Sequence, residues 1–176
     1  MYVRIEEYPD NDSDRLIDIQ IDPYDTWNMD DTLARIIVPM LKQLKDTKHG
    51  APNVDHNDVP EELRPTQQEI DAYNLNGATD DKFFERWDYV MDEMIWAFET
   101  HTSDWEEQFY SGEIDRITVP VDSDMKECDS DSAKYYEWRK GPNDTFEIDW
   151  DGRKAYADRM QKGFELFGRY YTSLWD

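Results

Sequence analysis

The sequence predicts an α+β fold in which small antiparallel strands and hairpins pack on three main amphipathic helices. Three observations lead there. Near the start, "YVRIE" and "RLIDIQI" alternate apolar and polar residues at the period of a strand. Three later stretches repeat large apolar residues at intervals of three and four, the period of a helix face. In the second half, short runs rich in Val, Ile, Tyr and Trp are broken by Pro, Gly, Asn and Asp, as strands and turns are. A chain of 176 residues has room for one core, so residues 1–176 are expected to form a single domain.

In chain order, Val3 and Ile5 share one face of the first strand and Ile17, Ile19 and Ile21 one face of the second. The polar "PDNDSD" between them suits the turn of an antiparallel pair. The period changes at Asp30. Leu33, Ile37, Met40, Leu41 and Leu44 follow helical spacing, and Pro39 is expected to kink the helix or start a second one, because it leaves the carbonyl of Arg35 without its donor. "HGAPNVDHNDVPEELRP" is a connector rich in turn formers, ending at a capping box with Thr66 as N-cap and Glu69 three residues on. The short helix that follows, through Ile70 and Tyr73, should stop at "NLNGATDD".

From Asp80 to about Thr100, Phe83, Phe84, Trp87, Val90, Met91, Met94, Ile95 and Phe98 make one broad apolar helix face. After a helical turn at "DWEEQFYSG", "ITVPV" reads as a strand that Pro120 confines to an edge, and "DSDMKECDSDSAK" as an acidic loop. "YYEWRKGPNDTFEIDW" reads as a hairpin turning at "GPND", with Tyr136 and Trp138 on one arm and Phe146, Ile148 and Trp150 on the other. A last helix from about Asp151 carries Tyr156, Met160, Phe164, Phe167, Tyr171 and Leu174 as its buried stripe.

Forty-two acidic residues stand against nineteen Lys and Arg, a formal net charge of −23. Such a surface repels nucleic acid and anionic lipid and favours a basic protein partner. Hydrophobic residues make up only 38%, but aromatics reach 14%, so the apolar surface is concentrated in large side chains and disorder is disfavoured. The charge is uneven. Ile37–Pro52 carries Lys42, Lys45 and Lys48 against Asp46 alone, and Arg153–Tyr171 carries Arg153, Lys154, Arg159, Lys162 and Arg169 against Asp158 and Glu165. Cys128 is the single cysteine, which rules out an internal disulfide and suits a reducing cytoplasm. No basic start leads into an apolar run, and no stretch approaches the length of a membrane span, so neither export nor spanning is expected.

Three blocks, "DTWNMDDTLARIIVPMLKQLKDTKHGAP", "FFERWDYVMDEMIWAFE" and "DWDGRKAYADRMQKGFELFGRYYTSLWD", together resemble a family of small acidic proteins of large T4-like tailed bacteriophages, marine phages included. They cover less than half of the chain, and their order also matches. That family has no assigned biochemical activity. The resemblance therefore implies a phage protein made in the host cytoplasm and transfers no catalytic residue.

Two surfaces stand out as candidate sites. Asp81, Glu85, Asp88, Asp92 and Glu99 form an acidic stripe whose first four members rise about 5 Å per step, a spacing of the order of backbone phosphates. The opposing account is an ordinary solvated helix face. Lys45, Lys48 and His49, with Arg159, Lys162 and Arg169 of the last helix, could instead line a pocket for an anionic nucleotide. Against this, lysines at a helix C-terminus answer the macrodipole, and Gly50 with Pro52 is a normal stop. The cations of the last helix could equally be compensated by the acidic stripe.

"HGAPNVDHND" offers His49, Asp55, His56 and Asp58 to a divalent ion, at a spacing that fits no standard zinc pattern. His101 should cap the central helix or face water. Catalysis has the least support, because no nucleophile elbow or HExxH is present and carboxylate pairs arise by chance among so many acids.

The expected function is that of a non-enzymatic acidic phage accessory protein. It would bind a basic host or phage protein, including a nucleic-acid-binding one whose groove it could fill as a mimic. No cofactor, no direct nucleic acid and no membrane are expected. The alternative is a small-ligand binder that sequesters an anionic nucleotide, and a metal-dependent hydrolase ranks third.

Overall fold

The alternating N-terminal segments pair as expected in the computed structural model, which describes residues 2–5, 14 and 16–175. Strand β1 (Tyr2–Ile5) runs antiparallel to β2 (Ile17–Gln20), with Val3 opposite Ile19 and Ile5 opposite Ile17. Most of the turn expected at "PDNDSD" lies outside the described residues. Among the described residues, four α-helices and three antiparallel strand pairs make the fold α+β. The chain divides into two compact units, one of residues 1–103 with 159–176 and one of residues 104–158.

In the first unit, α1 (Met29–Thr47) runs through Pro39 as one helix of 19 residues, so no second start is needed. Thr66 and Glu69 form the capping box of α2 (Gln67–Asn76): the Thr66 hydroxyl accepts from the Glu69 N–H, and the Glu69 carboxylate accepts from the Thr66 N–H at 2.6 Å. Gly77 ends that helix in the left-handed region, φ 75°, where a side chain would be strained. Helix α3 (Phe83–His101) buries Phe83, Trp87, Val90, Met91, Met94 and Ile95 as its apolar spacing requires, while Phe84 at the edge of that face stays exposed.

Helix α4 (Trp150–Tyr170) contributes its second part, from Arg159, to the first unit. Its most buried residues there are Gly163, Leu166 and Tyr170, one position away from the expected Phe164, Phe167 and Tyr171. The reason is a close approach. A Cβ on Gly163 would lie 2.6 Å from the Glu93 carbonyl oxygen and would also meet the Ala97 side chain, so only glycine lets α4 come so near to α3. Phe164 and Phe167 then flank the contact, both edge-on or tilted against Phe98 at 5.0 Å between centroids. Leu41, Val54, Val59, Trp87, Met91, Met94, Leu166 and Tyr170 complete one continuous core.

The second unit corrects the expected hairpin. Strand β3 (Tyr110–Ser111) pairs with β6 (Glu147–Ile148), and β4 (Arg116–Val121) pairs with β5 (Tyr135–Lys140). Residues 135–148 therefore lie against 110–121, and "GPND" is a bulge in one long ribbon instead of the turn of a hairpin. Its closing loop is the acidic stretch 122–134. The bulge is held by side chains: Asp144 accepts from the Asp115 N–H, Asp115 accepts from the Asn143 N–H, and the Gly141 N–H donates to the Asp115 carbonyl. Trp150, expected on a strand, begins α4. Trp105, Phe109 and Tyr156 pack as an aromatic cluster beside the ribbon.

Two glycines of α4, the buried Gly163 and the exposed Gly168, should respond in opposite ways to alanine. Gly163→Ala is expected to destabilise by about 1–3 kcal/mol through overpacking. Gly168→Ala, whose Cβ would meet nothing within 4 Å, should stabilise by about 0.5–1 kcal/mol through helix propensity. Urea unfolding of the two variants beside the wild type measures both signs.

Candidate interaction surface

The acidic stripe and the lysine-rich end of α1 meet each other. Lys42 pairs with Glu99, Lys45 with Asp92 and Lys48 with Asp88, each at 2.5 Å, and the descending order of the acids shows that α1 and α3 run antiparallel. Lys48 also donates to the Lys45 carbonyl at 2.9 Å, satisfying one of the acceptors that a helix C-terminus leaves open. "MLKQLKDTKHGAP" thus answers the macrodipole and the facing carboxylates at once. Lys42 and Glu99 are half-exposed, so their pair contributes little; Lys48, 11% exposed, is the substantial rung.

The cations of α4 go elsewhere. Arg159 makes a two-pronged contact with Glu93, at 3.0 and 2.6 Å, and its guanidinium lies 3.9 Å over the Trp96 ring. Lys162 and Arg169 converge on Asp58, at 2.8 and 2.5 Å, and the Tyr170 hydroxyl donates to the same carboxylate at 2.9 Å while accepting from the Asp55 N–H. The Asp58 side chain is fully buried. Burial pushes its carboxyl up, but the hydrogen bonds from Lys162, Tyr170 and Arg169 outweigh that and hold it below the ordinary carboxylate range. Tyr170 is pushed up to about 12, first by burial and also by the carboxylate it serves.

In the second unit, Arg153 pairs with Glu106 and Lys154 with Asp158. Every cation of the two basic segments therefore has a carboxylate of the chain itself as partner. His49 is exposed just past α1, and His56 lies 3.9 Å from Asp55. Asp58, offered by the sequence as a metal ligand, is already enclosed by two cations. Among the described residues no group of three or more His, Cys, Asp or Glu is placed to hold a metal ion. His101 neither caps α3 nor stands apart: its Nε2 lies 3.0 Å from Asp30 and ties the end of α3 to the start of α1.

Two sets of carboxylates form no ion pair among the described residues. Asp81 and Glu85, the first two members of the acidic stripe, are exposed and have no ion-pair partner among the described residues. So are Asp124, Asp129 and Asp131 in the loop that closes the ribbon. On the ribbon itself, alternation puts Tyr136 and Trp138 on one face, opposite Pro120 and Thr118, and leaves them 61% and 71% exposed. Tyr135, 57% exposed, stands where the loop joins the strand. The sequence reading gave these aromatics no role beyond a strand arm. The available signal was the run "YYEW" following directly on an acidic loop. No helix among the described residues is long and apolar enough to cross a membrane. No family model, curated protein or solved structure matches the chain.

Asp58→Asn should lower stability at neutral pH by about 2–3 kcal/mol, since two half-exposed cations and a buried tyrosine lose the shared negative charge and one of its two acceptor oxygens, which becomes an NH2 facing donors. The folded-state pKa of Asp58 is depressed. Its stabilisation is therefore complete above the unfolded carboxylate value of about 4 and is lost as pH falls through the lower folded value. The difference between wild type and variant should shrink over that acid range, as urea titrations from neutral to low pH would record.

Proposed function

We propose that the protein is a non-enzymatic acidic binding protein whose partner is a basic protein surface, met at the aromatic ribbon of the second unit. One observation carries the reading: Tyr136 and Trp138 stand exposed on one face of a two-stranded ribbon whose closing loop, five acids against Lys126 and Lys134, bears Asp124, Asp129 and Asp131 exposed and without an ion pair among the described residues. Exposed Tyr and Trp provide large contact area at small entropic cost and dominate protein–protein hot spots. Carboxylates beside them select Lys and Arg, whose stems pack on the rings while the charged heads pair.

Asp81 and Glu85 add a second negative patch of the same sign on the first unit. Asp88, Asp92 and Glu99 are already matched by lysines, so a row of five free charges imitating phosphates is not part of this proposal. The cations that a nucleotide pocket would need are likewise committed to internal carboxylates. The resemblance to phage proteins adds the infected bacterial cell as the setting.

The test is capture by the immobilised full chain from bacterial lysate, eluted with rising salt. Retained proteins should be basic and should elute steeply with ionic strength, because surface charge supplies the encounter energy. Tyr136→Ala with Trp138→Ala should weaken retention about tenfold or more while the melting temperature holds, both rings being exposed. Asp124→Lys with Asp129→Lys and Asp131→Lys should do the same. Retention indifferent to salt and to both variants would overturn the reading. A melting-temperature rise with mono-, di- or cyclic nucleotides would replace it by the small-ligand alternative.

A further inference from the structure

The first unit leaves two apolar surfaces uncovered, and neither contains a charge. One is a groove of about 1010 Å³ along α1 and the end of α4, lined chiefly by Leu33, Ile37, Met40, Leu44, Phe167 and Tyr171. No charged residue lines it, although 35% of the chain is charged. The other is one face of the β1–β2 pair. The register aligns Val3 with Ile19, with Ile17 two residues away on the same face, and Ile21 continues the alternation just past β2. Val3 is 38% exposed and Ile17, Ile19 and Ile21 are all more than half exposed.

A two-stranded hairpin alone is marginal in water, and a face of aliphatic side chains with nothing over it lacks the burial that would hold it. From these surfaces we infer that two copies of the chain associate reciprocally, the β1–β2 hairpin of each laying its aliphatic face into the α1–α4 groove of the other. Dimensions agree. From Leu33 to Thr47 the groove runs about 21 Å along α1, and two paired four-residue strands present a face about 13 Å long and two strands wide.

Charge argues for the same occupant. Two chains of −23 repel wherever carboxylates face each other. The uncharged groove meeting the uncharged hairpin face is the contact that avoids this, and it leaves Arg4, Asp18 and Gln20 on the opposite face of the hairpin, toward solvent. A basic partner, by contrast, would find no carboxylate in the groove to pair with. The exchange is isologous, so it closes at two copies and gives a dimer, not a fibre.

The experiment is sedimentation of the full chain from micromolar to near-millimolar concentration, with two double variants at residues exposed in the single copy. Wild type should be a dimer. Ile17→Glu with Ile19→Glu, and separately Leu33→Glu with Met40→Glu, should each sediment as monomers with unchanged far-UV circular dichroism. An equimolar mixture of the two variants should recover dimer, because one intact hairpin then meets one intact groove; misfolding of either variant could not produce that recovery. Raising salt should strengthen the dimer by screening the repulsion, the opposite of its effect on a basic partner, so this inference and the proposed function fail independently. A wild type that is monomeric throughout would overturn it, whether the hairpin stays free or folds into its own groove. So would a dimer that survives both variants, one that salt dissociates, or a mixture that stays monomeric.

Discussion

The first unit depends on one buried carboxylate. Asp58 sits in a connector between α1 and α2 that lacks long regular structure, yet Val54 and Val59 on either side of it are buried in the core. Taking a carboxylate out of water costs several kcal/mol unless donors replace the lost hydration. Here three donors do so, and all come from one stretch of α4: Lys162, Arg169 and Tyr170. Spacings of seven and eight put them on one helix face, the face that also carries Gly163 and Leu166. The position of the connector and the rotation of α4 are therefore set by the same contact. Arg86 does similar work nearby, buried itself, reaching the Asp80 carboxylate and the Leu63 carbonyl and so fixing the later part of the connector on α3.

This arrangement also explains how so acidic a chain folds. The basic residues are few, and where they cluster they are spent across helix–helix seams: α1 against α3 through three rungs, α4 against α3 through Arg159, and α4 against the connector through Asp58. Exposed rungs of such ladders add little energy. Their larger effect is on orientation, because a reversed or slipped pairing of α1 and α3 would set carboxylates against unmatched carboxylates. Part of the negative charge left over lies on the ribbon loop and at the start of α3, where acidic residues outnumber the basic ones or stand exposed without an ion pair among the described residues.

Local features were legible in the sequence and non-local ones were not. The Thr66 capping box, the stop at Gly77 and the apolar face of α3 depend on residues a few positions apart, and they formed as read. Pro39 is expected to kink the helix or start a second one because its cost is local, whereas the packing that carries α1 through it as one helix is not. The ribbon failed for the same reason. "GPND" does turn locally, the Asp144 N–H donating to the Gly141 carbonyl, but its other partner, Asp115, lies nearly thirty residues earlier, and nothing short-range distinguishes a turn within a bulge from the turn of a hairpin. In α4 the aromatic stripe pointed one position away from the buried line, because the decisive residues were a glycine, which hydropathy ignores, and a tyrosine whose hydroxyl serves Asp58. At the candidate surfaces the charged residues are visible in the sequence, but which carboxylate each cation meets is not, because those partners lie far apart along the chain.

A net charge of −23 acts on every contact this chain can make, and its sign sorts them. Contacts through the ribbon loop gain from attraction to cations and weaken as salt screens it. Contacts between copies lose from repulsion and can survive only where charge is absent on both sides, which among the surfaces of the first unit means the groove on α1 and the aliphatic face of the hairpin. Under the two proposals above, one charge distribution would serve two modes of association with opposite salt dependence. Six of the nineteen basic residues, Lys42, Lys45, Lys48, Arg159, Lys162 and Arg169, are taken up in the helical seams, and this is what keeps the charge-free groove apart from the surfaces that bear carboxylates.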